Sequence, residues 1–410
     1  MYRIQKKSSY FPLILLGLWT LLRSSFYEYY RFEAYFNLFD AANKLVTIFI
    51  VLYCISVINN RYDKLCTFIV YGFLMTFIGN LIIWQSNFVQ ELSGFVEILG
   101  FFSFFFLLKQ NIPIEKIEKF LLFFAVLYFL LWLIAIYNIP RLIFGQNLSG
   151  DLANVDRGFF RLWIPDKEHF PILLFFSLGQ FLLRKRYLYA VMAFFFLLII
   201  ILHVGRQMIM WSLISSTIMI FMLLKKHKIQ LLIGVIVIYI LAQWILQNVE
   251  GVSIMLDMTQ KQTSNADQDI RTLAIKHFIF DFPHNPVAIL FGNGIPCENT
   301  ELRQFFNSAF RKGYFIEDVG FVGMYVKYGL WMVIIMLTLL VKCFCIKVES
   351  RYLYLKFYIL YVYGMYLFGH ALTTDIFYVM IAYYIIVKSN YKIKQNKHEN
   401  KNCICFNQFK

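Results

Sequence analysis

Apolar blocks of helical length follow one another along the chain, separated by short stretches rich in Lys, Arg, Asn and aromatic residues. The blocks cover residues 10–22, 45–58, 65–84, 92–108, 120–137, 170–183, 188–203, 208–224, 231–249, 319–341, 357–372 and 376–387. A block near the roughly 20 residues of a straight span crosses the hydrocarbon core as a helix, which pairs every backbone N–H and C=O where no water can. Aromatic flanks such as Phe26, Tyr27, Tyr29, Tyr30 and Tyr187 suit the interface and extend the shorter blocks. The pattern predicts an all-α, polytopic integral membrane protein of about twelve transmembrane helices.

Most connections are short, so the two long ones, 138–169 and 250–318, are where function is sought. The first carries Arg157-Gly158-Phe159-Phe160-Arg161 and then Trp163-Ile164-Pro165-Asp166-Lys167-Glu168-His169. The second starts with a polar linker, 260–269, and becomes amphipathic. Ile270, Leu273, Ala274 and Phe278 recur at helical spacing, as do Leu302, Phe305, Phe306 and Phe310. Both segments are predicted to be helices on the membrane surface with the apolar side down. Between them, Pro286-Val287-Ala288-Ile289-Leu290-Phe291-Gly292-Asn293-Gly294 is expected to form a joining turn.

Charge fixes the orientation. Hydrophobic residues make up 60% of the chain and charged residues 15%, against roughly 25% charged in soluble domains. With the N-terminus inside, the inside segments hold 24 of the 39 Lys and Arg but 5 of the 24 Asp and Glu, so +19 inside and −4 outside make up the net +15. Lys and Arg are retained in short cytoplasmic loops. Both termini are therefore expected in the cytoplasm, residues 250–318 outside, and residues 388–410 as a basic cytoplasmic tail. The basic balance is an orientation signal and gives no ground for a nucleic-acid partner. The first block follows Arg3, Lys6 and Lys7 and is followed by Leu22-Arg23-Ser24-Ser25, which lacks a small-residue cleavage site, so an uncleaved signal anchor is expected. Of seven cysteines, Cys54 and Cys66 lie in spans, Cys343, Cys345, Cys403 and Cys405 on the cytoplasmic side, and Cys297 outside. No external disulfide within one chain follows from that, and the two Cys-x-Cys pairs do not have zinc-site spacing.

Candidate chemistry gathers at the external side. Arg206 sits in Val204-Gly205-Arg206-Gln207, a short external connection with no loop to carry it away. A guanidinium there can hold a phosphate in bidentate fashion or snorkel to lipid. Arg271 and Arg161 carry the same alternatives, whereas Arg141, Arg303, Arg311 and Lys312 fit snorkelling. Glu317-Asp318, immediately before the block at 319, can cap the helix or act as base. Glu97 lies inside a span, where an ionisable group is costly and marks a candidate site. Lys327, His203 and His370 fit structural roles, and His277 and His284 could serve as bases. No Walker loop, HExxH or nucleophile elbow occurs.

The ordered combination of Arg206, Arg271, Pro286 with Phe291-Gly292-Asn293-Gly294, and Asp318-Val319-Gly320-Phe321-Val322-Gly323 running to Gly329 resembles bacterial O-antigen and capsular polysaccharide polymerases, over roughly residues 155–345. The resemblance implies a fold similar to the GT-C membrane glycosyltransferases and to O-antigen ligases. It implies polymerisation of undecaprenyl-diphosphate-linked repeat units on the outer face of the cytoplasmic membrane, with no cofactor and no metal. Donor and acceptor are both lipid-linked glycans in contact with membrane lipids, and a chain-length regulator and a flippase are open as partners. In this scheme Arg206, Arg271 and Arg161 bind diphosphate, and the base is Asp318, then Glu317, then His277. Two alternatives stand beside it. One is an O-antigen ligase, which usually carries a loop His where this chain has Glu317-Asp318. The other is a lipid-linked oligosaccharide flippase, for which an internal repeat is expected that this sequence does not display.

Overall fold

A computed structural model describes residues 10–59, 63–139, 141, 143–144, 169–203, 205–224, 269–282, 285–297, 300–367, 369 and 375–407. Among the described residues the chain is all-helical, and β pairing is limited to an isolated antiparallel bridge between Tyr29 and Phe144. In chain order the helices are α1 (Phe11–Arg23), α2 (Phe36–Cys54), α3 (Lys64–Ile83), α4 (Phe88–Phe95), α5 (Ser103–Gln110), α6 (Ile114–Tyr137), α7 (Ile172–Arg184) and α8 (Tyr187–Leu202). They continue with α9 (Arg206–Leu223), α10 (Ile270–Lys276), α11 (Pro286–Phe291), α12 (Glu301–Arg311), α13 (Phe321–Cys345), α14 (Tyr354–Met365) and α15 (Ile376–Asn407).

Five of these are long and apolar enough to cross a membrane: α2 with its extension to Val57, α3, α6, α9 and α13. A sixth is reached if α4 and residues Ile98–Gln110 form one bent span, and α1, α7 and α8 are shorter apolar helices. The protein is thus a multi-pass membrane protein by length and composition of its helices. The block 231–249 lies outside the described residues.

Several boundaries differ from the apolar blocks for identifiable reasons. Helix α2 begins at Phe36, ahead of the block at 45, and its added turns carry an i,i+4 ion pair of Asp40 with Lys44 at 2.6 Å, which supports them. Helix α6 begins at Ile114, ahead of 120, and turns Glu118 inward onto Arg351. The block 92–108 is broken: α4 and Ile98–Gln110 meet at 57°. At the break the Arg23 guanidinium donates to the carbonyl of Val96 at 2.9 Å and to that of Glu97, covering acceptors that the bend uncouples from the helix.

Helices α14 and α15 form the centre of the bundle, with Tyr354, Tyr358, Tyr361, Tyr378 and Tyr383 all buried. Around them pack α5, α6, α7, α9 and α13. Gly364 lies against the Trp211 indole and Gly179 against Tyr354, the close approach that small residues allow where lipid supplies no hydrophobic drive.

One end of the bundle is held by charges. Asp63 caps α3 through Leu65 N–H at 2.9 Å, accepts from Lys342 Nζ at 2.6 Å and from the Tyr383 hydroxyl at 2.6 Å. Glu118 takes the Arg351 guanidinium and the Tyr354 hydroxyl, the latter at 3.4 Å. All of these residues come from segments, or from the ends of spans, that the charge pattern assigns to one side, so we call this the basic end. Asp63 is fully buried as a side chain, and removing it strips a cap, an ion pair and a hydroxyl partner together. Asp63→Ala is expected to destabilise the protein by about 3 kcal/mol, and Asp63→Asn by less. Thermal unfolding of the detergent-solubilised protein measures both, and an unshifted Asp63→Ala transition would remove this triad from the account.

Candidate functional site

The opposite end carries the long loop, and its attachment begins with a break in α13. At Gly329 the backbone leaves the helix with φ of 81°, a conformation that L side chains rarely adopt. The carbonyls of Val326 and Lys327, which would have bonded to residues four further on, are thereby freed. The Phe291-Gly292-Asn293-Gly294 segment fills the gap. Asn293 N–H donates to the Val326 carbonyl at 2.9 Å, its side-chain amide to the same oxygen at 3.1 Å, and Gly294 N–H to the Lys327 carbonyl at 2.8 Å. A Cβ on Gly329 would fall on the Leu290 carbonyl, and one on Gly292 on the Lys327 carbonyl. Thr76 of α3 donates to the Phe291 carbonyl from the other side. The two glycine motifs, separate in sequence, interlock.

A second fastening lies beside it. Glu91 of α4 is fully buried and accepts from Cys297 Sγ at 3.2 Å and from Ile295 N–H at 3.5 Å, with the Asn80 amide adding a further bond. Thr300, the N-cap of α12, donates to the Cys297 carbonyl at 2.6 Å. Burial and the neighbouring carboxylate push the Cys297 thiol up to about 12, so it stays a protonated donor at neutral pH.

Above these fastenings the loop builds a small core of its own from Ala274, Phe278, Phe282, Leu302, Phe306 and Ala309 against Ile316, Val319 and Val326. Ala274 and Phe278 of the first amphipathic segment pack with Leu302 and Phe306 of the second and with Val326 of α13, while Ile270, Phe280 and Phe305 stay exposed. The joining turn is corrected: residues 286–291 form helix α11, with Pro286 at its start and Asn285 Oδ1 accepting from Ala288 N–H at 2.7 Å. The Asn-Pro pair was the signal for that cap.

The predicted site residues distribute around this lid. Asp318 is half-buried in a 3-10 turn, Ile316–Val319, and α10 packs on that turn. The α13 N-terminus is Gly320, with no side-chain cap. The capping role open to Asp318 is therefore not realised, and among the described residues its carboxylate has no side-chain partner. Glu317 pairs with Lys327 at 3.1 Å, which gives Lys327 its structural role. His277 lies 3.5 Å from Asp281, and its ring packs on Tyr314. Arg271, exposed at the start of α10, follows the Asp269 cap, whose carboxylate accepts from Arg271 N–H at 2.9 Å. Arg206 is half-buried and opens α9.

Residues near Arg206 and Asp318 in the chain touch one common segment. Gly320 abuts the backbone of Tyr366 and Leu367, and Gly369 abuts the side chain of Gln207, so the turn bearing Asp318 and the turn bearing Arg206 flank the same segment after α14. Arg161, His284 and His370 lie outside the described residues. His203 is a packing residue, bonded to the Tyr128 hydroxyl at 3.0 Å and stacked on Trp132. Glu97 sits at the α4 break with its side chain exposed. Sequence reasoning missed Glu91, one residue ahead of the block at 92, and Asn80, an amide inside an apolar block; the latter was a usable signal, since polar groups in spans need partners.

Among the described residues no group of three His, Cys, Asp or Glu is placed to hold a metal ion. No protein-family model, curated protein or solved structure matches this chain. What the structure shows is Asp318 half-buried on a turn against which the helix carrying Arg271 packs, beside a loop pinned at two points.

Two measurements probe the pinning. Gly329→Ala is expected to cost more than about 2 kcal/mol and to expose the 285–297 segment to protease, whereas Gly17→Ala, whose Cβ would stand 3.9 Å from Phe120, leaves the digestion pattern unchanged. Maleimide treatment of the folded protein, read by peptide mapping, should modify exposed Cys345 and spare Cys297; rapid modification of both would contradict the Glu91 clamp.

Proposed function

We propose that this protein polymerises lipid-linked oligosaccharide repeat units into O-antigen or capsular polysaccharide at the outer face of the bacterial cytoplasmic membrane. In this reading the chain crosses the membrane about twelve times, with both termini in the cytoplasm and the lid outside. The observation that carries it is the interlock of the Phe291-Gly292-Asn293-Gly294 turn with the α13 break at Gly329. Two of the motifs behind the family resemblance are parts of one structural unit, and the turn bearing Asp318 packs both on α13 and on α10, which carries Arg271.

The chemistry suits these groups. The acceptor hydroxyl attacks the anomeric carbon of the donor glycan, the bond from that carbon to the diphosphate oxygen breaks, and undecaprenyl diphosphate leaves. Arg206 and Arg271 stabilise the negative charge that develops on the bridging oxygen. Asp318 takes the acceptor proton; it is favoured over Glu317, engaged by Lys327, and His277, set beside Asp281. The lid keeps water from a reactive glycosyl diphosphate.

A flippase is the second reading, favoured by the broken α4 and its Arg23-covered carbonyls, since discontinuous helices mark many transporters. Deletion separates the readings. A lost polymerase leaves single repeat units on core, a lost ligase leaves lipid-linked polymer without core, and a lost flippase leaves nothing outside. Within the first reading, Arg206→Ala and Asp318→Asn are each expected to lower long polymer by about a hundredfold at normal membrane levels of protein, while Glu317→Gln retains a ladder. Unchanged ladders in the first two variants would exclude this site from the reaction.

A further inference from the structure

The basic end of the bundle holds a cavity of about 510 Å3 between α15, the end of α5 and the start of α6. Its walls divide by chemistry. Phe104, Leu108 and Val387 form an apolar side, and Lys388, Lys392 and Glu115 a charged one. Helix α15 carries the two lysines because it continues beyond the apolar block that ends at 387.

Lys388 is held in place without being neutralised. Its Nζ donates to Asn111 Oδ1 at 2.9 Å, to the Ile112 carbonyl at 2.7 Å and to the Tyr384 hydroxyl at 2.9 Å. These acceptors are uncharged, so the ammonium is hydrogen-bonded but has no counter-charge in contact. Burial lowers its pKa to about 8, with the nearby Glu115 carboxylate pulling the other way. Glu115 is engaged with Lys392 at 3.7 Å. Two ammonium groups and one carboxylate leave one positive charge at a cavity whose other wall is hydrocarbon-like. A ligand that balances both features is an amphiphile with a single negative charge.

We propose that this cavity binds an anionic glycerophospholipid from the leaflet at the basic end, its phosphodiester beside Lys388 and Lys392 and an acyl chain along Phe104, Leu108 and Val387. Basic pockets between helices at a membrane surface select such headgroups, each Lys adding about 1 kcal/mol. The site lies at the end away from the lid and depends on the membrane setting alone, so it stands whether or not the chain is a polymerase.

The test is native mass spectrometry of the purified full chain in detergent, with phosphatidylglycerol or phosphatidylethanolamine added. One phosphatidylglycerol per chain should be retained in preference to phosphatidylethanolamine. Lys392→Gln, which removes one ammonium and its half-exposed pair with Glu115, should lower that occupancy about fivefold, and Leu108→Trp, which fills the apolar wall, should abolish it. Equal retention of the two lipids, or retention unchanged in Lys392→Gln, overturns the proposal. So does displacement by inorganic phosphate with no effect of Leu108→Trp, which would make the ligand a free anion.

Discussion

A backbone carbonyl that loses its helical partner inside a membrane must find another donor, because hydrocarbon provides none. In α13 that requirement arises at Gly329, and the N–H groups of Asn293 and Gly294 meet it. The break and the inserted turn therefore need each other. Without the turn, Val326 and Lys327 would expose unpaired carbonyls; without the break, the turn would have no place to dock. The side chains of Gly292 and Gly329 are absent for the same reason, since each backbone passes where a Cβ would stand. Everything at the loop end, from the Glu91 clamp to the small aromatic core, is built outward from this junction.

The α4 break at Val96 and Glu97 answers the same constraint with a different donor, the Arg23 guanidinium. Both breaks lie near Tyr328, whose ring packs edge-on against Phe95 at 5.9 Å and Phe73 at 5.8 Å. The loop end is thus framed by two interrupted helices held by specific bonds. The basic end is held instead by ion pairs between helix ends and connecting turns, Asp63 with Lys342 and Glu118 with Arg351. Under the proposed reaction the division is useful: the polar, glycine-rich end shapes a site, and the charged end anchors the bundle and its interface with lipid.

The candidate residues come from differently patterned segments. Arg206 belongs to a short turn, Arg271 to an amphipathic helix and Asp318 to a 3-10 turn. The link between the first and the last is the segment after α14, where Gly320 meets Tyr366 and Leu367 and Gly369 meets Gln207.

By itself the sequence determined that the chain is helical and membrane-embedded, because an apolar block of spanning length has one way to satisfy its backbone in lipid. It also placed the amphipathic helices of the loop, since a period of 3.6 is visible without tertiary context, and it singled out the two glycine motifs. It could not show that those motifs grip each other, that residues 286–291 are a helix, or that Glu91 rather than Glu97 is the buried carboxylate. Each of those outcomes depends on which groups come together across long stretches of chain: Asn293 with Val326, Asn80 with Ile295, Glu91 with Cys297. The partners of a freed carbonyl or a buried carboxylate are chosen in space, and only the tertiary structure decides them.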